Sequence, residues 1–177
     1  MTVIIAEKPS LARNIVAGIE QSGGAKMQKK NGYFEGGAFV VTWAFGHLFS
    51  LCDIEDYQGK NGEKVRWSME GLPCFPPDFR FKLKLGEDKK PDAGVEKQFA
   101  LIKTLCGRND VDTIINAGDA DREGEIIVRL CVEATGVILL SRRIEPGPIR
   151  KKSHTVPVLL WIRCFCLPKS VTAFLWS

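Results

Sequence analysis

Apolar residues fall into two rhythms along this chain. Two short runs, Val3-Ile4-Ile5-Ala6 and Thr113-Ile114-Ile115, are continuous, as in strands buried on both faces. Each leads into apolar positions at helical spacing: Leu11, Ile15, Val16 and Ile19 after the first, Ile126-Ile127, Leu130-Cys131 and Ala134 after the second. Pro9 suits the first helical position, where its missing N–H costs nothing, and Gly23-Gly24 ends that helix. A further helix is predicted over residues 93–106, capped by Asp92, with Val95, Phe99, Ile102 and Cys106 on one face and Gly107 at its end. Tyr33-Phe34-Glu35 and the stretch from Ala38 to Trp43 flank Gly36-Gly37 and predict a hairpin. Residues 49–78, rich in Asp, Glu, Gly and Pro, predict a long excursion, after which Phe79-Arg80-Phe81-Lys82-Leu83-Lys84-Leu85 alternates as a strand with one basic face. Two buried strands that each feed a helix predict an α/β fold. The expected form is an open, mainly parallel sheet with helices on both faces, an inserted hairpin and a long loop, and with strands near 2–6 and 112–117 side by side.

The polar residues at the ends of those two strands carry the chemistry. Ala117-Gly118-Asp119-Ala120-Asp121-Arg122-Glu123-Gly124-Glu125 crowds carboxylates where a strand ends and a helix begins, the ligand position of an open α/β sheet. Asp119 and Asp121 are two apart on an extended segment and Glu123 follows on the first helical turn. Three hard oxygen donors there suit Mg²⁺, with water and a phosphate completing its shell. The plainer reading is that acidic residues in a first turn stabilise the helix dipole. Glu7-Lys8 at the end of the other strand supplies an acid, or a phosphate clamp, if the two strands are neighbours.

Three segments in series resemble the Toprim domain of type IA DNA topoisomerases, nearest the topoisomerase III branch. They are Ile5-Ala6-Glu7-Lys8-Pro9-Ser10, Thr42-Trp43-Ala44-Phe45-Gly46-His47-Leu48 and the acidic motif 117–125, and the resemblance covers about residues 2–136. It implies a Toprim, Rossmann-like sheet and a role in single-strand DNA cleavage and religation. It places Glu7 and Lys8 at the chemistry, with Glu7 in cleavage and rejoining and Lys8 on the scissile phosphate. It implies Asp119, Asp121 and Glu123 as Mg²⁺ ligands, with Glu7 a further candidate ligand. His47 and Arg122 join Lys8 as expected DNA contacts, His47 being equally readable as a hydrogen-bonded structural histidine. The implied partner is DNA in its single-stranded regions. Primases and some nucleases also use Toprim domains, so a phosphoryl-transfer protein of another kind is a lesser alternative; a non-catalytic fragment that binds metal or DNA is another.

The family's nucleophile is a tyrosine in a separate domain downstream. This chain of 177 residues has two tyrosines, Tyr33 and Tyr57, and both precede the acidic motif. Tyr33 reads as a strand residue beside the Asn31-Gly32 turn and Tyr57 as part of an acidic, exposed loop. A tyrosine nucleophile needs a whole positioning constellation, so the chain is expected to be half of an active site, inactive unless the missing domains are supplied in trans. Residues 1–140 carry 18 basic against 20 acidic side chains, whereas 141–177 carry 7 against 1. The net +4 thus comes from the tail, and any grip on DNA must be local, with Lys26, Lys29 and Lys30 as a candidate patch or simply a solvated run. Six scattered cysteines without a C-x-x-C pair indicate neither zinc nor a disulfide framework. Ile4-Ile5 is followed at once by Glu7-Lys8, which does not read as a signal peptide, and a cytoplasmic protein with no membrane partner is expected. The expected organisation is a Toprim domain over residues 1–136 and a non-homologous or poorly structured tail over 137–177. Arg142-Arg143, four prolines (Pro146, Pro148, Pro157 and Pro168), the lone Cys164-Phe165-Cys166 and an apolar stretch from Val156 to Leu167 broken by Arg163 resemble out-of-frame coding. A truncated or frameshifted gene product is the expectation, with a divergent last strand around Leu159-Leu160-Trp161-Ile162 as the alternative.

Overall fold

The computed structural model describes residues 1–58, 69, 72–86, 92–119, 121–137, 140–142 and 158–161, the last two segments by their backbone alone. Seven strands form the main sheet in the order β2-β3-β4-β1-β7-β9-β8. β1 (Thr2–Ala6) lies between β4 (Phe39–Trp43) and β7 (Thr113–Ala117) and pairs in parallel with both. α1 (Pro9–Gln21) connects β1 to the β4 side, and α3 (Ala93–Cys106) returns the chain to β7 on the opposite side. α4 (Arg122–Thr135) follows β7.

Alternation along the buried strands sorts the core into two layers. Val3, Ile5, Val40 and Ile114 pack with Ile102, Leu105 and Cys106 of α3 and with Ile127, Val128, Cys131 and Val132 of α4. Ile4, Ala6, Val41, Ile115 and Ala117 face the other way, against Ala12, Val16 and Ile19 of α1. The central strands therefore carry apolar residues on both faces, because each face has a helical layer against it. Pro9 stands in the first turn of α1, and Asp92 caps α3 by accepting from the N–H groups of Gly94 and Val95. Both helix starts, and the mainly parallel sheet, agree with the sequence pattern.

The hairpin over Gly36-Gly37 is formed by β3 (Tyr33–Gly36) and β4, with Gly37 at φ 56°. A second hairpin, unpredicted, joins β3 to the edge strand β2 (Gln28–Lys30) across Asn31-Gly32. Lys29 and Lys30 are therefore exposed edge-strand lysines, a placement that discourages strand addition, and Lys30 is ion-paired with Glu35.

Three local expectations need correction. On α4 the buried face is Gly124, Ile127, Val128, Cys131, Val132 and Thr135, leaving Ile126 and Ala134 exposed, because the sheet meets the helix about one position further round. The alternating stretch 79–85 narrows to β6 (Phe81–Leu83), since its partner β5 (Phe49–Leu51) is only three residues long. Its basic face is partly neutralised: Lys82 pairs with Asp53 and Asp56, and the Arg80 guanidinium donates to the Asp56 carbonyl. Tyr57 lies in a short helix, α2 (Ile54–Gln58), and its hydroxyl accepts from the Arg80 N–H at 2.7 Å, so it is half-buried and structurally engaged.

β8 (Leu140–Arg142) and β9 (Val158–Trp161) extend the sheet beyond β7, with β9 parallel to both β7 and β8. β9 falls on the apolar stretch where one reading of the tail puts a last strand. The prolines at 146, 148, 157 and 168, Arg143, Arg163 and Cys164-Phe165-Cys166 lie outside the described residues, as do 59–68. Among the described residues no helix is long and apolar enough to cross a membrane.

Candidate active site

The parallel register of β1 and β7 puts Ala6 beside Ala117, so the next residues, Glu7 and Gly118, leave the sheet together. α1 then packs on one face of the sheet and α4 on the other. Two neighbouring strands whose following helices diverge in this way open a crevice at their carboxyl ends. The amino-terminal ends of both helices start there, and their unpaired N–H groups favour anions.

Within the crevice the side chains of Glu7, Lys8 and Asp119 meet. The Lys8 ammonium lies 2.6 Å from Asp119 Oδ2, and the Asp119 N–H donates to Glu7 Oε2 at 3.3 Å. Hydrogen bonding to Asp119, reinforced by its charge and those of Glu7 and Asp121, raises the Lys8 pKa above its ordinary value, so the lysine is cationic. Asp121 is the N-cap of α4, with Oδ1 accepting from the Gly124 N–H at 2.7 Å. Arg122 and Glu123 follow as exposed side chains on the first turn. The acidic motif is thus divided in use: Asp121 caps the helix, and Asp119 faces across to Glu7 and Lys8.

Close packing of backbone makes this geometry possible. A Cβ on Gly118 would lie 2.2 Å from the Gly124 carbonyl oxygen, and one on Gly124 would lie 2.5 Å from Asp119 N and 2.8 Å from Glu7 Oε2. Buried Asn116 braces the turn, accepting from the Gly118 N–H at 3.0 Å and reaching the Glu125 carbonyl at 3.4 Å. Asn116 was not singled out from sequence; an amide interrupting an apolar strand one turn before the acidic motif was the available signal. On the other flank the Ala44 N–H donates to the Ala6 carbonyl and the Gly46 N–H to the Glu7 carbonyl, at 2.8 and 3.1 Å. That brings the segment 44–48 to the crevice, with His47 exposed on it.

The family model for the Toprim domain matches residues 2–149. The chain belongs to the Toprim family. Its sequence is 41% identical over 152 residues to DNA topoisomerase 3 of Bacillus thuringiensis (strain Al Hakam), covering 86% of this chain and 19% of that protein. It is 42% identical over 153 residues to DNA topoisomerase 3 of Bacillus subtilis (strain 168), with the same coverage. DNA topoisomerase 3 of Bacillus cereus (strain ATCC 14579) is 41% identical over 132 residues, 75% of this chain and 16% of its own length. The chain therefore spans less than one fifth of the length of these relatives, and the similarity lies in its Toprim domain.

The acidic side chains at the crevice, Glu7, Asp119, Asp121 and Glu123, are all carboxylates, the chemistry that hard divalent cations select. Among the described residues no three His, Cys, Asp or Glu side chains converge closely enough to hold a metal ion as they stand. The Lys8 ammonium lies on Asp119, and one oxygen of Asp121 is turned to its own helix. A cation is already present at Asp119, in the form of an ammonium. The tyrosines stand elsewhere. Tyr33 is on β3 opposite Thr42 and packs against the core, and Tyr57 is tied to Arg80.

Proposed function

We propose that this chain is the Mg²⁺-dependent strand-rejoining half of a type IA topoisomerase, acting on single-stranded regions of DNA by transesterification at phosphorus. The observation that supports this most is the meeting of Glu7, Lys8 and Asp119 at the ends of neighbouring strands. In this reading Lys8 leaves Asp119 for the equatorial oxygens of the scissile phosphate, where developing charge needs a cation. Asp119, Asp121 and Glu123 would then hold Mg²⁺, which would supply further charge neutralisation beside the phosphate. Glu7 handles the proton of the leaving group: as a tyrosine oxygen bonds to phosphorus, its phenolic proton passing to water, the P–O3′ bond breaks and Glu7 in its carboxylic acid form gives the 3′ oxygen a proton; on rejoining Glu7 takes that proton back and the tyrosine regains one from water. His47 and Arg122, exposed beside the crevice, meet the strand as it enters. The module is residues 1–136 in this reading, closed by Gly136 in the left-handed conformation after α4.

A polypeptide of these 177 residues alone neither relaxes supercoiled DNA nor forms a covalent adduct, because Tyr33 and Tyr57 are both held away from the crevice in structural roles. The test mixes purified protein, Mg²⁺ and labelled single-stranded DNA and traps with denaturant. No protein-linked label is expected from this chain; adding the remaining four fifths of a topoisomerase III chain should give cleavage linked to the added piece and abolished by Glu7→Gln. Label on this chain that disappears in Tyr33→Phe or Tyr57→Phe would refute the proposal. Free cleaved DNA without an adduct, lost in Glu7→Gln, would instead identify a nuclease.

A further inference from the structure

We infer that Phe45 is a stacking platform for a nucleobase of the strand whose phosphate is held at Lys8. The inference rests on the DNA-binding reading above and adds to it a base contact. Phe45 belongs to a segment held at both ends. Ala44 is fully buried and its N–H donates to the Ala6 carbonyl, while Leu48 is buried in the core and the Gly46 N–H donates to the Glu7 carbonyl. Gly46 at φ 73° turns the chain between them. With Ala44 and Leu48 committed to the interior, Phe45 is left 53% exposed.

A single exposed phenylalanine is unremarkable by itself. Its attachment is what gives it a use. Phe45 is bracketed by two backbone hydrogen bonds to the residues that end β1, Ala6 and Glu7, so its backbone is fixed relative to the catalytic pair. It is joined through one glycine to exposed His47, putting an aromatic and a polar ring on one short segment beside Lys8 and the starts of α1 and α4. Phosphate-seeking groups next to a rigid, exposed aromatic face are the combination that binds single strands, where charge tracks the backbone and rings take bases without regard to sequence. The ring carries no charge and no hydrogen-bonding atom, so its contribution is to bases and not to phosphates. The partner chemistry is accordingly an unpaired, unstacked nucleotide, in keeping with a substrate that is single-stranded at the crevice.

The test is equilibrium binding by fluorescence anisotropy of a labelled oligothymidylate and of the same strand carrying abasic residues, to the intact chain with Mg²⁺. Phe45→Ala should weaken binding of the thymidylate at least about fivefold, and Phe45→Trp should preserve it. Abasic substitution should weaken wild-type binding by a similar factor and cost Phe45→Ala little, because both changes remove the same stack. The melting temperature of Phe45→Ala should match that of wild type, since an exposed ring contributes little to the core. Equal affinity of wild type and Phe45→Ala for the thymidylate overturns the stacking inference and leaves the DNA-binding reading standing. Absence of any salt-sensitive binding by wild type overturns both.

Discussion

Gly118→Ala is the sharpest probe of how the crevice is built. A Cβ there would meet the Gly124 carbonyl oxygen at 2.2 Å and its carbonyl carbon at 2.6 Å, when ordinary contact begins at 3.4 Å. The obstructing atoms are helix backbone, so β7 and the start of α4 must separate by about 1.2 Å for the oxygen alone. Overpacking of this kind costs about 1–3 kcal/mol. Restricting the unfolded chain returns about 0.4–1 kcal/mol. Taking the middle of each range, about 2 less about 0.7, the net expectation is a loss of about 1.3 kcal/mol, which for a domain of this size lowers the melting temperature by about 3–5 °C. Gly18→Ala makes the same chemical change in the interior of α1, where nothing lies within 4 Å of the new methyl group. It should stabilise the fold by about 1 kcal/mol through helix propensity. Thermal unfolding followed by circular dichroism measures both. A Gly118→Ala protein as stable as wild type, with Gly18→Ala raised as expected, would show that the strand-to-helix turn is not closely packed and would remove the physical reason for glycine in it.

The remaining expectations concern metal, core polarity and pH. Mg²⁺ or Mn²⁺ should raise the melting temperature, since selective binding to the folded state adds about 2.7 kcal/mol at a hundredfold excess over Kd; the double variant Asp119→Asn, Asp121→Asn should show no such shift, and an unchanged shift would place the metal elsewhere. Gln98 is 5% exposed and donates to the Trp43 carbonyl at 2.6 Å, so Gln98→Leu should cost about 1–3 kcal/mol in urea unfolding by stranding that carbonyl. Hydrogen bonds from Lys30 and Arg108 hold the Glu35 carboxyl below its ordinary value of 4.5, so its stabilisation is full above that value and disappears as pH falls through the lowered one. Glu35→Gln should therefore lose about 1 kcal/mol at neutral pH and show a flatter decline of stability below pH 4.5. Burial pushes the Cys106 and Cys131 thiols up to about 12, and neither should react with a thiol reagent until the protein unfolds.

Sequence alone determined most of what is local or repeated. Continuous apolar runs identified β1 and β7, Pro9 and Asp92 marked the starts of α1 and α3, and Gly36-Gly37 marked a hairpin, because each depends on the covalent preferences of a few adjacent residues. That Glu7, Lys8 and Asp119 stand at the ends of two apolar strands was legible from the sequence, because each follows directly on a continuous apolar run. Where the signal was weak the local reading drifted. The edge strand β2 is all exposed and has no apolar period, and the extent of β6 is limited by the length of its partner, which no pattern within 79–85 records. On α4 Val128 and not Ile126 is buried, a choice made by which face of the helix packs on the core.

Tertiary structure decided how those residues are used. That Glu7 and Asp119, 112 positions apart, share a hydrogen bond follows from the order β4-β1-β7 and its parallel register, which only long-range strand pairing sets. That Lys8 rests on Asp119 while Asp121 caps α4 divides one acidic motif into a crevice carboxylate and a structural one. That division is a matter of ångströms between two backbone turns, closed by glycines at 118 and 124 whose shared contact joins a loop to a helix. Phe45 owes its exposure to the burial of Ala44 and Leu48 on either side of it, a consequence of which atoms the core had already claimed.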